Sequence, residues 1–192
     1  KKEEREKYLN LVNRRKKNEP IAYITNTKSF WRDNFITNEN VLIPRPDSEH
    51  LVEQSLKIIK KNQSKRILDI GVGSGCLSIS ILNERLYCKC DAIDLSKNAL
   101  KLAKNNANLH QLSDRIKFYK RDVDNFYNDK YDLIISNPPY INKHRIKYLD
   151  SIIYEPKIAL DGGLDGLEVI RKVISKSKNL LKINGKLILE IG

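Results

Sequence analysis

The sequence predicts an α/β fold, a mostly parallel sheet with helices on both faces, preceded by a helix and a β-hairpin linker. Three observations carry this expectation. From Lys65 onward short apolar runs alternate with helical stretches, the pattern of strand–helix–strand units whose sheet is covered on both sides. Clusters such as RILDIG, YDLIIS and KLILEIG supply strand-like apolar material. The residues with special chemistry, a glycine loop and an Asn-Pro-Pro-Tyr run, each directly follow one of these runs.

Each element has its own justification. Residues 1–18 read as a charged helix with a thin apolar seam at Tyr8, Leu9, Leu11 and Val12. The basic run Arg14–Lys17 falls in its last turn, where cations suit the negative end of the helix dipole. Pro20 stops it. Residues 21–43 alternate loosely around the only tryptophan, Trp31, and predict a hairpin or extended linker. Pro44-Arg45-Pro46 is a stiff turn, after which Asp47 or Ser48 is expected to cap a helix over Glu49–Lys61. A strand over Arg66–Ile70, a helix over Leu77–Leu86 and a strand over Cys88–Ile93 come next. Ser96 is placed to cap a helix reaching Leu109, with apolar residues at Ala99, Leu100, Leu102, Ala103 and Ala107. Strands are expected at Ile116–Tyr119 and Tyr131–Ile135. A loop with Gly162, Gly163 and Gly166 leads to a helix over Leu167–Leu181 and a final strand over Lys186–Ile191. No internal repeat or low-complexity tract interrupts this order.

Composition bounds the function. The 192 residues, 40% hydrophobic and 31% charged, suit one domain of ordinary size. No apolar run approaches the ~18–20 residues of a membrane span, so no membrane partner is expected. Three cysteines are odd in number and too few for a secreted disulfide scaffold, which favours a reducing cytoplasm. The net charge of +12 favours anionic partners such as RNA or the ribosome. A Lys-, Ile- and Asn-rich composition accounts for it equally well. The absence of methionine and the stop straight after an apolar run suggest a piece of a longer protein. A monomer is expected.

Two motifs carry chemistry. Asp69-Ile70-Gly71-Val72-Gly73-Ser74-Gly75 lies between a strand and a helix. Its glycines let the backbone turn sharply and approach a ligand in front of a helix N-terminus. Asp94, 23 residues after Gly71 and at the end of the next strand, is placed to accept both hydroxyls of a ribose. A nucleoside-containing cofactor follows. Asn137-Pro138-Pro139-Tyr140 leaves the strand Tyr131–Ile135. Consecutive prolines fix φ and remove two N–H donors, leaving the Asn137 side-chain oxygen and the Pro138 carbonyl as a rigid acceptor pair beside the Tyr140 ring. That set suits a planar –NH2 group.

With both motifs, the chain resembles the class I S-adenosylmethionine-dependent methyltransferases, and within them the HemK-type release factor glutamine N5-methyltransferases. The resemblance rests on Arg14-Arg15, Glu19–Ile24, Phe30-Trp31, Val41–Glu49, the glycine loop, Asn137–Tyr140, Glu155-Pro156, Ala159-Leu160, Asp165–Leu167 and Leu189–Gly192. It implies methyl transfer to a glutamine side-chain amide of a peptide-chain release factor. It also implies that residues 1–18 are the remnant of a helical substrate-docking domain, residues 19–46 a β-hairpin linker, and residues 47–192 a C-terminally incomplete methyltransferase domain. The resemblance places S-adenosylmethionine on Gly71, Val72, Gly73, Ser74, Gly75, Asp94, Asp122, Val123 and Asn137. It makes Asn137, Pro138, Pro139 and Tyr140 the catalytic set. Three residues depart from the family pattern. Asn26 stands where glycine is frequent, Ser48 replaces a usual threonine, and Val123 replaces a frequent aromatic.

Other residues are weighed and set aside. Cys88 and Cys90 share one strand face but lack a second ligand pair, so no metal is expected. Cys76 at a helix start is either a thiol of lowered pKa or a small core residue. His50, His110 and His144 show no triad spacing. Two other functions fit the motifs. One is an adenine N6-methyltransferase acting on DNA or RNA, which needs the same –NH2 cradle plus base flipping. The other is a truncated, non-catalytic binding module.

Overall fold

The computed structural model describes residues 2–149 and 152–192. Lys1, which the sequence places in the first helix, lies outside them. Among the described residues seven strands form two sheets. A two-stranded antiparallel hairpin joins β1 (Thr27–Phe30) to β2 (Asp33–Ile36). A five-stranded parallel sheet runs in the order β5-β4-β3-β6-β7, with β3 Arg66–Ile70, β4 Lys89–Asp94, β5 Ile116–Lys120, β6 Tyr131–Ser136 and β7 Leu181–Leu189. Helices α3 (Glu49–Ile58), α4 (Cys76–Glu84) and α5 (Lys97–Leu109) accompany one apolar cluster, which joins Val52, Ile79, Leu82, Leu100 and Ala103 to Ile67, Cys90 and Leu133. Helix α7 (Glu168–Leu180) serves the opposite cluster, where Val173 and Leu180 meet Leu68, Phe126, Tyr131 and Ile134. Each fully buried Leu or Ile contributes about 1.5–3 kcal/mol of transfer energy to this two-sided core. The α/β expectation is met.

Helix α1 (Lys2–Lys16) buries none of its residues, and Tyr8, Leu9 and Leu11 of its seam are exposed. Its last-turn cations have a local use. Arg14 Nε donates to Glu19 Oε2 at 2.8 Å and Arg15 to the Glu19 carbonyl at 3.1 Å, which ties the helix end to the turn after it.

Several boundaries differ from the sequence reading, each for a visible reason. Residues Ile21–Thr25 form a helical turn, α2, instead of extended chain; Asn26 ends it in the left-handed region at φ 55°, which asparagine tolerates. Helix α3 stops at Ile58 because Arg85 donates to the carbonyls of Leu56 and Ile59, satisfying the helix end with a side chain. Helix α4 stops at Glu84, where Arg115 does the same for Leu82, Arg85 and Leu86. Strand β7 begins at Leu181, not Lys186, through an irregular stretch between the pairs Tyr131–Leu181 and Leu133–Lys186. Asn184 takes positive φ there, and Ile183 points into solvent at 94% exposure. The sequence reading also passed over α6 (Lys143–Ile146), which Asn142 caps by accepting the His144 N–H.

Candidate active site

In the main sheet the chain starts at the centre with β3, steps outward through β4 and β5, then returns to β3's other edge with β6 and β7. Ligands of open parallel sheets bind at such a reversal, outside the carboxyl ends of the two central strands. Here those ends are the loop after Ile70 and the run after Ser136, and Ser136 Oγ donates to the Ile70 carbonyl at 2.7 Å to hold them together. A cavity of about 410 Å³ opens there, within the range of small-molecule sites.

Gly71, Val72, Gly73 and Ser74 of the glycine loop line the cavity, whereas Gly75 does not. Gly71 and Val72 donate their N–H groups to the Ile93 carbonyl at 2.9 and 3.1 Å, and Gly75 to Val72 at 2.8 Å. Gly71 needs its residue type for conformation, since φ is 77° while a Cβ there would meet nothing within 4 Å. At Gly75 both factors apply: φ is 83°, and a Cβ would stand 3.0 Å from Ile79 Cδ1. Asn106, buried on α5, fixes the outside of the loop. Its Nδ2 donates to the carbonyls of Ser74 at 2.8 Å and Ile36 at 3.0 Å, and its Oδ1 accepts the Ile36 N–H at 2.8 Å. Nothing in its sequence neighbourhood marked Asn106 for this.

Asp94 does more than the sequence assigned to it. Its Oδ2 accepts the Gly73 N–H at 3.0 Å and its Oδ1 the Ser96 N–H at 2.8 Å. The carboxylate is therefore a clamp on the loop, and only its remaining lone pairs face a ligand. Burial pushes its pKa up, while the Ser96, Gly73 and Leu95 N–H groups pull it down. Asp122 and Val123 line the cavity's far wall. Asp122 accepts the Asp124 N–H at 2.9 Å as cap of a short 3-10 turn, and Lys172 Nζ lies 3.6 Å from it.

Asn137, Pro138 and Pro139 line the same cavity. Asn137 Nδ2 donates to Ser48 Oγ at 3.0 Å, and Ser48 Oγ donates to Glu190 Oε2 at 2.5 Å. The expected capping by Ser48 is absent because its hydroxyl is spent on this pair. Among the described residues no donor reaches Asn137 Oδ1 or the Pro138 carbonyl. Tyr140 stands apart. It does not line the cavity, is 37% exposed, and its ring lies against Gly192, where a Cβ would be 2.6 Å away. Its backbone is gripped by the glycine segment that follows: a Cβ at Gly162 would lie 2.8 Å from Tyr140 Cα, and one at Gly166 2.6 Å from the Tyr140 oxygen.

The stretch 40–48 covers part of the cavity mouth. Buried Glu155 holds it, accepting the Ile43 N–H at 3.0 Å and pairing with Arg45. The roles of Ser48, Glu155 and Glu190 escaped sequence reading, although all three lie in segments that carried the family resemblance. Beneath the loop, Asp69 is fully buried and among the described residues neither of its oxygens makes a hydrogen bond of normal geometry; burial pushes its pKa to about 7, against the opposing pull of the nearby Ser78 hydroxyl and N–H. Cys76 is a packed thiol, pushed up to about 12 by burial, not an activated one. Among the described residues no cluster of His, Cys, Asp or Glu could hold a metal, and no helix is long and apolar enough to cross a membrane.

Comparison with known proteins gives concordant results. The family described as "Methyltransferase small domain" matches residues 50–163. The chain is 41% identical over 209 residues to the "Bifunctional methyltransferase" of Rickettsia typhi, covering 97% of this chain and 40% of that protein. It is 40% identical over 190 residues to the "Release factor glutamine methyltransferase" of Clostridium acetobutylicum, covering 96% of this chain and 67% of that protein. The chain thus spans about two fifths of the first relative and about two thirds of the second. Among solved structures, the ribosomal protein L11 methylase from Lactobacillus delbrueckii subsp. bulgaricus superposes with a TM-score of 0.57 at 18% identity, over 85% of this chain and 71% of that one. TrmN from Thermus thermophilus gives 0.53 at 21%, over 73% and 37%. At such identities the likeness is one of fold.

Proposed function

Because the chain belongs to the methyltransferase small domain family and, within it, to the release factor glutamine methyltransferases of class I methyltransferase fold, we propose that it methylates the side-chain amide nitrogen of a glutamine in a peptide-chain release factor. S-adenosylmethionine is the cofactor of this class and, when bound, supplies an electrophilic methyl group on a sulfonium. The cleft fits such a group in its chemistry. Gly71 leaves open space where a side chain would stand, Asp94 keeps lone pairs for hydroxyls, and Ile93 and Val123 offer apolar walls. Gly71 to Gly75, Asp94, Asp122, Val123 and Asn137 would hold it.

One observation carries the reading. Asn137 donates an amino hydrogen to Ser48, and among the described residues its Oδ1 and the Pro138 carbonyl are two unpaired acceptors at the cavity. A primary amide has two N–H hydrogens for such a pair. Its nitrogen is a poor nucleophile, since the lone pair is delocalised into the carbonyl. Holding both hydrogens fixes the amide plane and the position of the nitrogen, and positioning of this kind supplies up to roughly 7–11 kcal/mol in ideal cases. Acceptors aimed at the N–H groups also stabilise the positive charge that develops on nitrogen as the C–N bond forms. The proton then leaves to water, and no general base is required. In this reading residues 1–18 belong to a substrate-docking region, and the basic surface is free to meet RNA or the ribosome.

The test offers labelled S-adenosylmethionine with release factor, DNA and tRNA, using wild type and Asn137→Ala. Label in the release factor that is lost in Asn137→Ala is the expected result. Label in nucleic acid would replace this reading with adenine methylation, and label nowhere would leave a binding module.

A further inference from the structure

A side-chain amide is nearly symmetric in shape, and only its partners decide which end is oxygen. Asn137 must present oxygen to a substrate –NH2; presenting its own NH2 would set donors against donors. Its sole side-chain partner among the described residues is Ser48, whose hydroxyl has one proton and accepts or donates with equal ease. That ambiguity is removed one bond further out. Glu190 Oε2 lies 2.5 Å from Ser48 Oγ, and an ionised carboxylate only accepts. The Ser48 proton is therefore committed to Glu190, Ser48 only accepts from Asn137, and Asn137 Oδ1 faces the cavity. We propose that Ser48 and Glu190 are positioning residues that set the hydrogen-bond polarity of Asn137 and thereby select an amide over a carboxylate as substrate. The inference rests on the amide-methylation reading above and assigns neither residue contact with the reacting atoms. The lock spans the fold. Ser48 precedes α3, Asn137 follows β6 and Glu190 follows β7, while the Glu190 N–H also donates to the Ser136 carbonyl at 3.1 Å.

The test compares Glu190→Gln, Ser48→Ala and Ser48→Thr with wild type. A glutamine at 190 donates as well as accepts, so it frees the Ser48 proton to turn the Asn137 amide around. Methylation of release factor should fall in kcat/KM by about tenfold or more in Glu190→Gln and Ser48→Ala, the scale of one charge-assisted hydrogen bond. S-adenosylmethionine affinity should stay within about twofold by calorimetry. The preference for binding release factor over its glutamine-to-glutamate version should shrink, and Ser48→Thr should behave as wild type. Wild-type turnover in Glu190→Gln and Ser48→Ala would overturn the proposal. So would a loss accompanied by equal losses of cofactor affinity and thermal stability with the glutamine preference intact. Hydrogen exchange of the Asn137 NH2, followed by NMR, decides the matter independently of turnover. It should speed up in Glu190→Gln, and unchanged protection refutes the lock even where wild type methylates no release factor, an outcome that would separately end the functional reading.

Discussion

Replacing Asp69 by asparagine should change how stability depends on pH. The Asp69 carboxyl is completely buried and makes no hydrogen bond of normal geometry among the described residues; burial pushes its pKa to about 7 from an ordinary 3.8, against the opposing pull of the nearby Ser78 hydroxyl and N–H. Below about pH 4 the group is protonated in both folded and unfolded chains and discriminates neither. As pH rises from 4 toward 7 the unfolded chain releases the proton while the folded chain keeps it, so ionisation draws the equilibrium toward unfolding. Stability from this group is therefore full below pH 4 and is lost by pH 7, above which the curve is flat again. Each unit of separation corresponds to 1.36 kcal/mol, so the whole loss is about 4 kcal/mol. With a urea slope of about 2 kcal/mol per M for a domain this size, that equals about 2 M in midpoint. Asparagine keeps the shape and cannot ionise. Urea titrations of wild type and Asp69→Asn at pH 4, 5, 6, 7 and 8 cancel the other carboxylates, which both proteins share. The midpoint of the variant should gain on wild type steadily between pH 4 and 7 and then hold its lead. Parallel curves across that range would refute the argument and mean that Asp69 is ionised in the fold.

Asp94→Ala removes two charge-assisted bonds to the glycine loop as well as an acceptor for hydroxyls; S-adenosylmethionine affinity measured by calorimetry should fall tenfold or more, about 1.5–3 kcal/mol. Gly166→Ala forces positive φ on alanine and drives a methyl to 2.6 Å from the Tyr140 oxygen; the melting temperature should drop by about 3–8 °C, with release factor turnover falling alongside it.

How much of this was legible in the sequence varies with the kind of interaction. The apolar runs fixed β3 to β6 within a residue or two at each end, because a buried parallel strand is recognisable from its own composition. Ser96 reads correctly as a cap, and its Oγ does accept the Ala99 N–H at 3.1 Å, since capping is a contact three residues long. Ser48 looks like a cap by the same rule and is not one, because Glu190, 142 residues away, takes its hydroxyl. The helix ends at Ile58 and Glu84 were invisible for the same reason: Arg85 and Arg115 reach them from other parts of the chain. At the site, Gly71, Gly73, Asp94 and Asn137 to Pro139 meet at one cavity, as their positions at strand ends suggested, while Gly75 stays out of its lining. Tyr140 lies outside the cavity lining, packed closely against Gly162, Gly166 and Gly192, an arrangement no local pattern encodes.

The reversal of strand order between β3 and β6 has a consequence for assembly of the molecule. Gly71 to Gly75 can be formed by the contiguous stretch β3–α4–β4–α5–β5, whose strand pairings close shorter loops than the β3–β6 pairing and are therefore expected earlier in folding. Asn137 to Pro139 arrive only when the chain has doubled back past its own starting strand, a long-range and slower closure. The binding cleft is thus a seam between an early half and a late half, complete only when the last crossover is in place. A ligand that bridges the seam binds no intermediate lacking β6, so its whole binding energy opposes global unfolding rather than loosening of one loop. At a hundred times its dissociation constant it would add about 2.7 kcal/mol to the entire domain. Slow-exchanging amides on both sides of the seam, in β4 as well as β6, should then gain protection together.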